Sequence, residues 1–440
     1  MGKCSSHCRQ KALTVSKIST TGDPDRLLIS IRRDLHRHPE PGWCEFRTTS
    51  VIFSYLKSFG YQISMLDRLI NTDEILGDGS DHCSEKIRAA AEGADAELIE
   101  QLRCTGLIAT ISSGLPGPDT GFRFDIDAVA VGESDSPDHT PNRLGFASVH
   151  PGISHACGHD GHTALGIVLA KYISENISRL RGKFTLIFQP AEEGCRGAWS
   201  IRNLAQIRNL DRLFAFHLGI CATSGQLVLH PDHFLVSNKF RVEIHGRSAH
   251  AGIEPEKGIN ALHCAAAAAD RIFRLAEIRP SARTNLGCFT SLNAQNVICD
   301  YVSFTGECRD VTDSLNAQLY QEICSTIQEE CARFGARYTI TPTGIARAVV
   351  NSPQLDEPVC RAAAECGLEI IDSAPFNACE DCGHLIAAVQ DEGNSAGYYV
   401  LGNKICGRHH SPDFDLDEKA LTGSLHFLFR LTELIAGSAE

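Results

Sequence analysis

The stretch Lys183-Phe184-Thr185-Leu186-Ile187-Phe188-Gln189-Pro190-Ala191-Glu192-Glu193-Gly194 decides the fold of this chain. Its first half is an apolar run, Phe184 to Phe188, bounded by Gly182 and Pro190, which predicts a short strand. Its second half sets two adjacent carboxylates, Glu192 and Glu193, at the end of that strand. Ligands gather at the carboxyl ends of strands in open α/β sheets. Neighbouring side chains there aim in different directions, so one carboxylate can bind a metal while the other handles protons. An isolated Glu-Glu pair is by default a solvated acidic turn; the position at a strand end lowers that default.

Outward from this stretch, apolar runs alternate with helical patterns over residues 25 to 235. Leu27 to Leu35 and Thr48 to Phe59 predict amphipathic helices, with Gly60 ending the second before a strand at Tyr61 to Ser64. Residues 70 to 104 read as an insertion carrying one helical stretch, Glu85 to Leu102. Leu107 to Ile111, Phe122 to Ile126 and Leu213 to Phe216 predict strands, and Thr163 to Ile173 a helix. The pattern changes near Val236. Lys239 to Ile244, Thr284 to Phe289, Tyr301 to Glu307 and Tyr338 to Thr341 predict strands, interleaved with helices at Ile259 to Leu275 and Leu315 to Phe334. After Ala348 the first style resumes, with a helix at Gln354 to Cys366 and a strand at Tyr398 to Leu401. The chain is therefore expected to be α/β, with a mostly parallel central sheet in a discontinuous domain, residues 1–235 and 348–440. A smaller α+β domain, residues 236–347, interrupts it.

With 43% hydrophobic and 22% charged residues among 440, the chain can bury two cores. A net charge of -13 argues against nucleic acid or an anionic membrane as the partner, and leaves a small molecule. No apolar run is long enough to span a bilayer and the first residues carry no secretory core, so a cytoplasmic location is expected. The 19 cysteines are then mostly reduced core residues. Gly2, Ser6 and Cys4 fit an acylation pattern, a short motif that weighs little.

The window Ser154-His155-Ala156-Cys157-Gly158-His159-Asp160-Gly161-His162 places a thiol and imidazoles just before a helix, the donor types that borderline-soft divalent metals select. One histidine would be an incidental loop residue; a Cys-x-His core flanked by further histidines and two glycines is not. His217 closes a strand, where a lone histidine is usually structural. Arg408-His409-His410-Ser411-Pro412-Asp413-Phe414 offers vicinal histidines, one of which faces inward at almost any backbone twist. Cys379 and Cys382 have a C-x-x-C spacing, but no second pair follows to complete a zinc site.

These windows resemble a known family. Arg32 to His36, Phe122 to Ala128, His155 to Thr163, Phe188 to Gly197, His217 to Gly219, Gly246 to Ala251, Asn296 to Ile298 and His410 to Phe414 occur in the order found in the dinuclear metallo-amidohydrolases. That family holds hippurate hydrolases, N-acyl amino acid deacylases, auxin-conjugate hydrolases and p-aminobenzoyl-glutamate hydrolases. The insertion and the phrases Ile31 to Asp34 and Trp43 to Arg47 are most similar to the last of these. The resemblance implies two divalent metal ions, manganese or zinc, with Cys157 bridging them. His159 and His217 would complete one metal, and Glu193 with His410 the other; His410 is preferred to His409 because the family's ligand precedes a Phe by four positions. It implies Glu192 as the general base, and Asp125 as a carboxylate orienting a ligand histidine. The inserted domain would be a lid and dimerisation unit. His250 would reach a neighbouring protomer's site to steady the oxyanion, and Arg309 and Asn296 would hold the substrate carboxylate. A homodimer, or a hetero-oligomer with a related chain, is implied. Cys195, Cys299 and Cys379 depart from the family's pattern without removing a ligand.

Overall fold

The computed structural model of the chain describes residues 22–71, 75–77 and 81–437, so the Gly2/Cys4 pattern lies outside the described residues. The strands are β1 (Gln62–Met65), β2 (Leu107–Ser112), β3 (Asp119–Asp125), β4 (Lys183–Gln189), β5 (Arg212–Leu218), β6 (Gln226–Asp232), β7 (Val236–His245), β8 (Arg283–Thr290), β9 (Tyr301–Asp310), β10 (Arg337–Ala346), β11 (Glu369–Pro375) and β12 (Ser395–Leu401). Eight of them form one sheet in the order β1-β2-β4-β3-β5-β12-β6-β11. Its centre is parallel, β3 lying between β4 and β5, and β5 beside β12. The pairings β1/β2, β2/β4 and β6/β12 are antiparallel.

Both faces of this sheet are covered, which is why β4, β5 and β12 are buried at every residue after the first. Helices Pro24–Arg37, Phe46–Ser58, His159–Asn176 and Glu418–Ala436 supply one core, and Gly383–Gln390 belongs to the core on the other side. The helix His159–Asn176 begins at Gly158, whose φ of 89° suits glycine. Its first twelve residues are all buried, so side chains at its start are held in the interior.

The remaining strands form an antiparallel sheet, β10-β7-β9-β8, backed by helices Ala261–Glu277 and Asp313–Phe334 around a separate core. The two sheets meet at the turn after β4. There the Ile345 amide donates to the Cys195 carbonyl at 2.7 Å. Gly344 lies so near the Gly194 carbonyl that a Cβ at 344 would sit 2.0 Å from its oxygen.

The expected single helical stretch Glu85 to Leu102 is instead two helices, His82–Ala91 and Ala96–Glu100. Gly93 turns the chain between them at φ 98°, and the Asp81 and Asp95 carboxylates each cap a start.

Behind the helix His159–Asn176, the fully buried Arg32 guanidinium pairs with Asp160 at 2.8 Å and with Asp415. His36 joins them through Asp160 (2.8 Å) and Glu133 (2.8 Å). Burial and the Arg32 charge oppose protonation of His36, but its two carboxylate partners outweigh them and raise its pKa to about 9. A folded-state value above the unfolded one contributes stability that is complete below the unfolded pKa and is lost as pH rises through the folded one. Urea unfolding is therefore expected to show a loss of about 3 kcal/mol between about pH 6 and 10, a slope removed in His36→Gln. An unchanged slope in that variant would assign the effect elsewhere.

Candidate active site and metal centre

Strands β3 and β4 end level, Asp125 opposite Gln189, and His217 lies one residue from the end of β5 alongside. This delivers Asp125, Asp127, Glu192, Glu193 and His217 to one edge of the sheet. The turn after β4 places Ala191 (φ 51°) and Cys195 (φ 61°) in the left-handed region, which costs non-glycine residues energy. Hydrogen bonds hold it there. The Ala191 amide donates to Glu45 Oε1 at 2.7 Å, and the amides of Glu192 and Glu193 donate to the two oxygens of Asp127 at 3.1 and 2.9 Å.

The donor atoms of Cys157, His159 and His217 lie within 4.8 Å of one another, as do those of Cys157, Glu193 and His410. Cys157 belongs to both groups. Each imidazole of the first group has one nitrogen engaged and one facing the thiol's surroundings. His217 Nδ1 donates to the Leu218 carbonyl at 2.9 Å, leaving Nε2 at 3.7 Å from Cys157 Sγ. His159 Nδ1 lies 3.0 Å from the Asp127 carbonyl, and its buried Nε2 has no hydrogen-bond partner. An orphaned buried nitrogen is costly unless something binds it. Burial, and then the Glu193 charge, push the Cys157 thiol well above its ordinary range, and a coordinated cation reverses that preference. Burial likewise holds His217 well below the usual histidine range, in the neutral form a metal requires. The residues present thus fit two divalent ions sharing a thiolate.

The vicinal histidines divide by their hydrogen bonds. The Ile220 amide donates to His409 Nε2 at 3.2 Å, so the ring proton sits on Nδ1, 3.7 Å from Cys157 Sγ; this geometry makes His409 a donor to sulfur. His410 Nε2 lies 3.0 Å from Glu193 Oε1, with the backbone at φ 60°.

Asp125 is the carboxylate expected to orient a ligand histidine. Its Oδ1 accepts from His162 Nδ1 at 2.5 Å, while His162 Nε2 accepts from the Leu218 amide at 3.0 Å. Asp125 thereby steadies β5 through His162, which is outside the expected ligand set. The carboxylate nearest His159 Nδ1 is that of Asp127, at 3.3 Å, because Asp127 stands beyond the strand end where the chain can curl toward the helix start.

Glu192 is buried and shares a cluster with Glu380 and Asp381. Burial, and then the Glu380 charge, push its carboxyl well above the usual carboxylate range. Beneath them the fully buried Arg123 bonds Gln189 (2.8 Å), Asp125 (2.7 Å), Glu380 (3.1 Å) and Asp381 (3.2 Å). A cavity of about 290 Å³ opens over Cys157, Glu192, Glu193, His217, His409 and His410, with Phe376 and Cys379 in its wall. Cys379 bonds Cys195 across the site. Among the described residues, no three-donor group includes Cys379 or Cys382.

His250 and Asn296 are exposed and adjacent on the smaller sheet's unit, outside the cavity's lining. His250 Nδ1 accepts from the amides of Gly252 and Ile253. Arg309 on β9 bonds Glu307 at 2.9 Å, and its buried Nε has no hydrogen-bond partner.

Two donor groups joined by one thiol, with a buried carboxyl beside them in a cleft, define a metal-dependent hydrolase. The chain belongs to Peptidase family M20/M25/M40, whose sequence profile matches residues 121–434. It is 33% identical over 416 residues to a p-aminobenzoyl-glutamate hydrolase homolog of Haemophilus influenzae, covering 92% of this chain and 97% of that protein. It is 35% identical over 400 residues to an indole-3-acetyl-aspartic acid hydrolase of Enterobacter agglomerans, covering 89% and 91%. Among solved structures it is similar to an aminobenzoyl-glutamate utilization protein of Klebsiella pneumoniae, with a TM-score of 0.77, 29% identity, and coverage of 92% and 94%. The chain is a metal amidohydrolase with an α/β fold of that family.

Proposed function

We propose that this enzyme hydrolyses the amide bond of N-acyl amino acids, with p-aminobenzoyl-glutamate, cut to p-aminobenzoate and glutamate, as its preferred substrate. The observation that carries the reading is the pair of donor groups sharing Cys157 beside Glu192. Relatives named for p-aminobenzoyl-glutamate and for indole-3-acetyl-aspartic acid support the substrate class, and both named substrates join an aromatic acyl group to an acidic amino acid.

Cys157, His159 and His217 would hold one ion and Cys157, Glu193 and His410 the other, manganese or zinc. When bound, such ions supply the Lewis acidity that polarises an amide carbonyl and acidifies water. Glu192 takes the proton of the attacking water and returns it to the leaving amine nitrogen, so no covalent intermediate is required. Asp127 keeps His159 and the Glu192-Glu193 turn in place, and Asp125 acts through His162. Arg309 and Asn296 hold the substrate carboxylate, and His250 serves a second protomer's site as oxyanion donor, which requires a homodimer or a hetero-oligomer with a related chain. In this reading the smaller sheet's unit is the lid and dimerisation domain, and the enzyme is cytoplasmic. Among the described residues, no helix is long and apolar enough to cross a membrane.

The test is hydrolysis by the purified full chain, reloaded with manganese or zinc, of p-aminobenzoyl-glutamate, hippurate, indole-3-acetyl-aspartate and short dipeptides. The glutamate conjugate is expected to rank first in kcat/KM, with metal bound at about two ions per chain. Glutamate conjugates ranking last would overturn the substrate; bound metal without any turnover would make the chain a non-catalytic member of a larger assembly.

A further inference from the structure

Alternate residues of β7 face opposite sides of the small sheet. Phe240, Val242 and Ile244 fill its helix-backed core, so Lys239 points to the other face, toward the turn after β4. On β9 the same rule pairs Glu307 opposite Lys239 and sets Arg309 on that face.

Lys239 Nζ lies 3.6 Å from Cys195 Sγ. Among the described residues, no carboxylate forms an ion pair with it, whereas the neighbouring Arg309 has Glu307. This half-buried ammonium has a thiol as its hydrogen-bond partner and shares the charge of Glu307, the carboxylate opposite it on β9, with Arg309. Arg309 leaves its buried Nε unpartnered a short way along the same face.

Neither cation lines the cavity; both act on its wall through Cys379. The Cys195 contact, and then the charges of Arg309 and Lys239, bring the Cys379 thiol down to about 7, and Cys379 lines the cavity together with Glu192 and Glu193. The field of Lys239 also reaches Glu192 and His410. The cavity's own acidic residues, Glu192, Glu193 and Glu380, supply no cation for a second substrate carboxylate. Two cations against the single Glu307 leave room there for more than one negative group.

We propose that Lys239 is a specificity residue: beside Arg309, it receives a second carboxylate on the amino-acid half of the substrate, so that the site selects conjugates of acidic amino acids. The assignment rests on the amidohydrolase reading given above. It explains why two cations share the single Glu307 carboxylate beside the cavity: the substrate brings another.

The experiment compares kcat/KM for p-aminobenzoyl-glutamate and the isosteric, uncharged p-aminobenzoyl-glutamine, using the metal-loaded full chain, Lys239→Met and Lys239→Arg, with circular dichroism melts of all three. The unmodified enzyme is expected to prefer the glutamate conjugate by about 30-fold or more, the worth of a hydrogen bond to a charged group. In Lys239→Met that ratio should fall to about 3 or below, chiefly through KM, and Lys239→Arg should restore much of it. Equal use of both conjugates by the unmodified enzyme overturns the assignment, whether or not the variants fold. So does a Lys239→Met enzyme that loses activity on both in proportion. Failure of the unmodified enzyme to cut either conjugate overturns the amidohydrolase reading, and the role of Lys239 with it.

Discussion

Glu192→Gln is expected to lower kcat about 1,000-fold while the protein still binds its metals, because the change keeps the side chain's shape and removes its ability to exchange a proton. The companion change Glu193→Gln should instead release metal. The two residues are adjacent in sequence and share a donor group with His159, yet each also has a group without the other: Glu193 lies with Cys157 and His410, and Glu192 clusters with Glu380 and Asp381. Asp127 fixes the backbone that carries both by accepting from their two amides. Metal content by mass spectrometry and single-turnover rates on p-aminobenzoyl-glutamate read the two effects independently. Turnover above about a tenth of the unmodified rate in Glu192→Gln would remove Glu192 from proton transfer. Loss of metal in that variant would make it a ligand, a role its place in a further donor group with His159 and Glu193 allows.

Arg123→Met should cost about 3–5 kcal/mol of folding stability, the largest effect expected of any single change outside the metal centre. Arg123 lies on the central strand β3 with no exposure, and Asp125, Glu380 and Asp381 all bond to it. Methionine fills much of the volume but removes the guanidinium that these carboxylates share. Further hydrogen bonds soften the loss without replacing the charge: the Tyr398 hydroxyl donates to Glu380 at 2.6 Å, and the Ala198 amide to Asp381 at 2.9 Å. Urea unfolding of the metal-free protein provides the measurement. A change under about 1 kcal/mol would show that the carboxylates simply take up protons, and that the guanidinium is dispensable for the fold.

Legibility in the sequence followed physical locality. The strand Phe184 to Phe188 and the carboxylates after it were readable because apolar run, proline and glutamates are contiguous, and the sheet's parallel centre followed from alternation with helices. Strands β6 and β11 were not anticipated. β11 is largely exposed, Glu369 to Pro375 carrying two acids and a proline, so no burial pattern marks it. Strand direction was equally invisible at β2, which follows an inserted segment and pairs antiparallel with β4. Among candidate site residues, those whose own chemistry could hold a metal stand out as Cys, His and Glu. Those that act through neighbours do not. Asp127 works by accepting amides from a turn 65 residues away, and His162 by a strand 56 residues away. His409 and His410 have the same composition and differ in what the backbone of Ile220 offers one of them. Arg123 sits in an apolar run, where a single arginine gives no hint of three carboxylates, two of them from a distant segment. Gly93 lies inside the single helical stretch expected from the sequence, and it is where the helices His82–Ala91 and Ala96–Glu100 separate.

The turn bearing Glu192 and Glu193 has a second side, on which Gly344 rests against the Gly194 carbonyl and Ile345 holds the Cys195 carbonyl. Backbone bears on backbone there, with no side chain between to absorb a shift. Any tilt of the four-stranded sheet is consequently passed to Gly194 and from it to the carboxylates just before it. The turn is thus the point at which the small sheet bears directly on the segment that carries the two carboxylates.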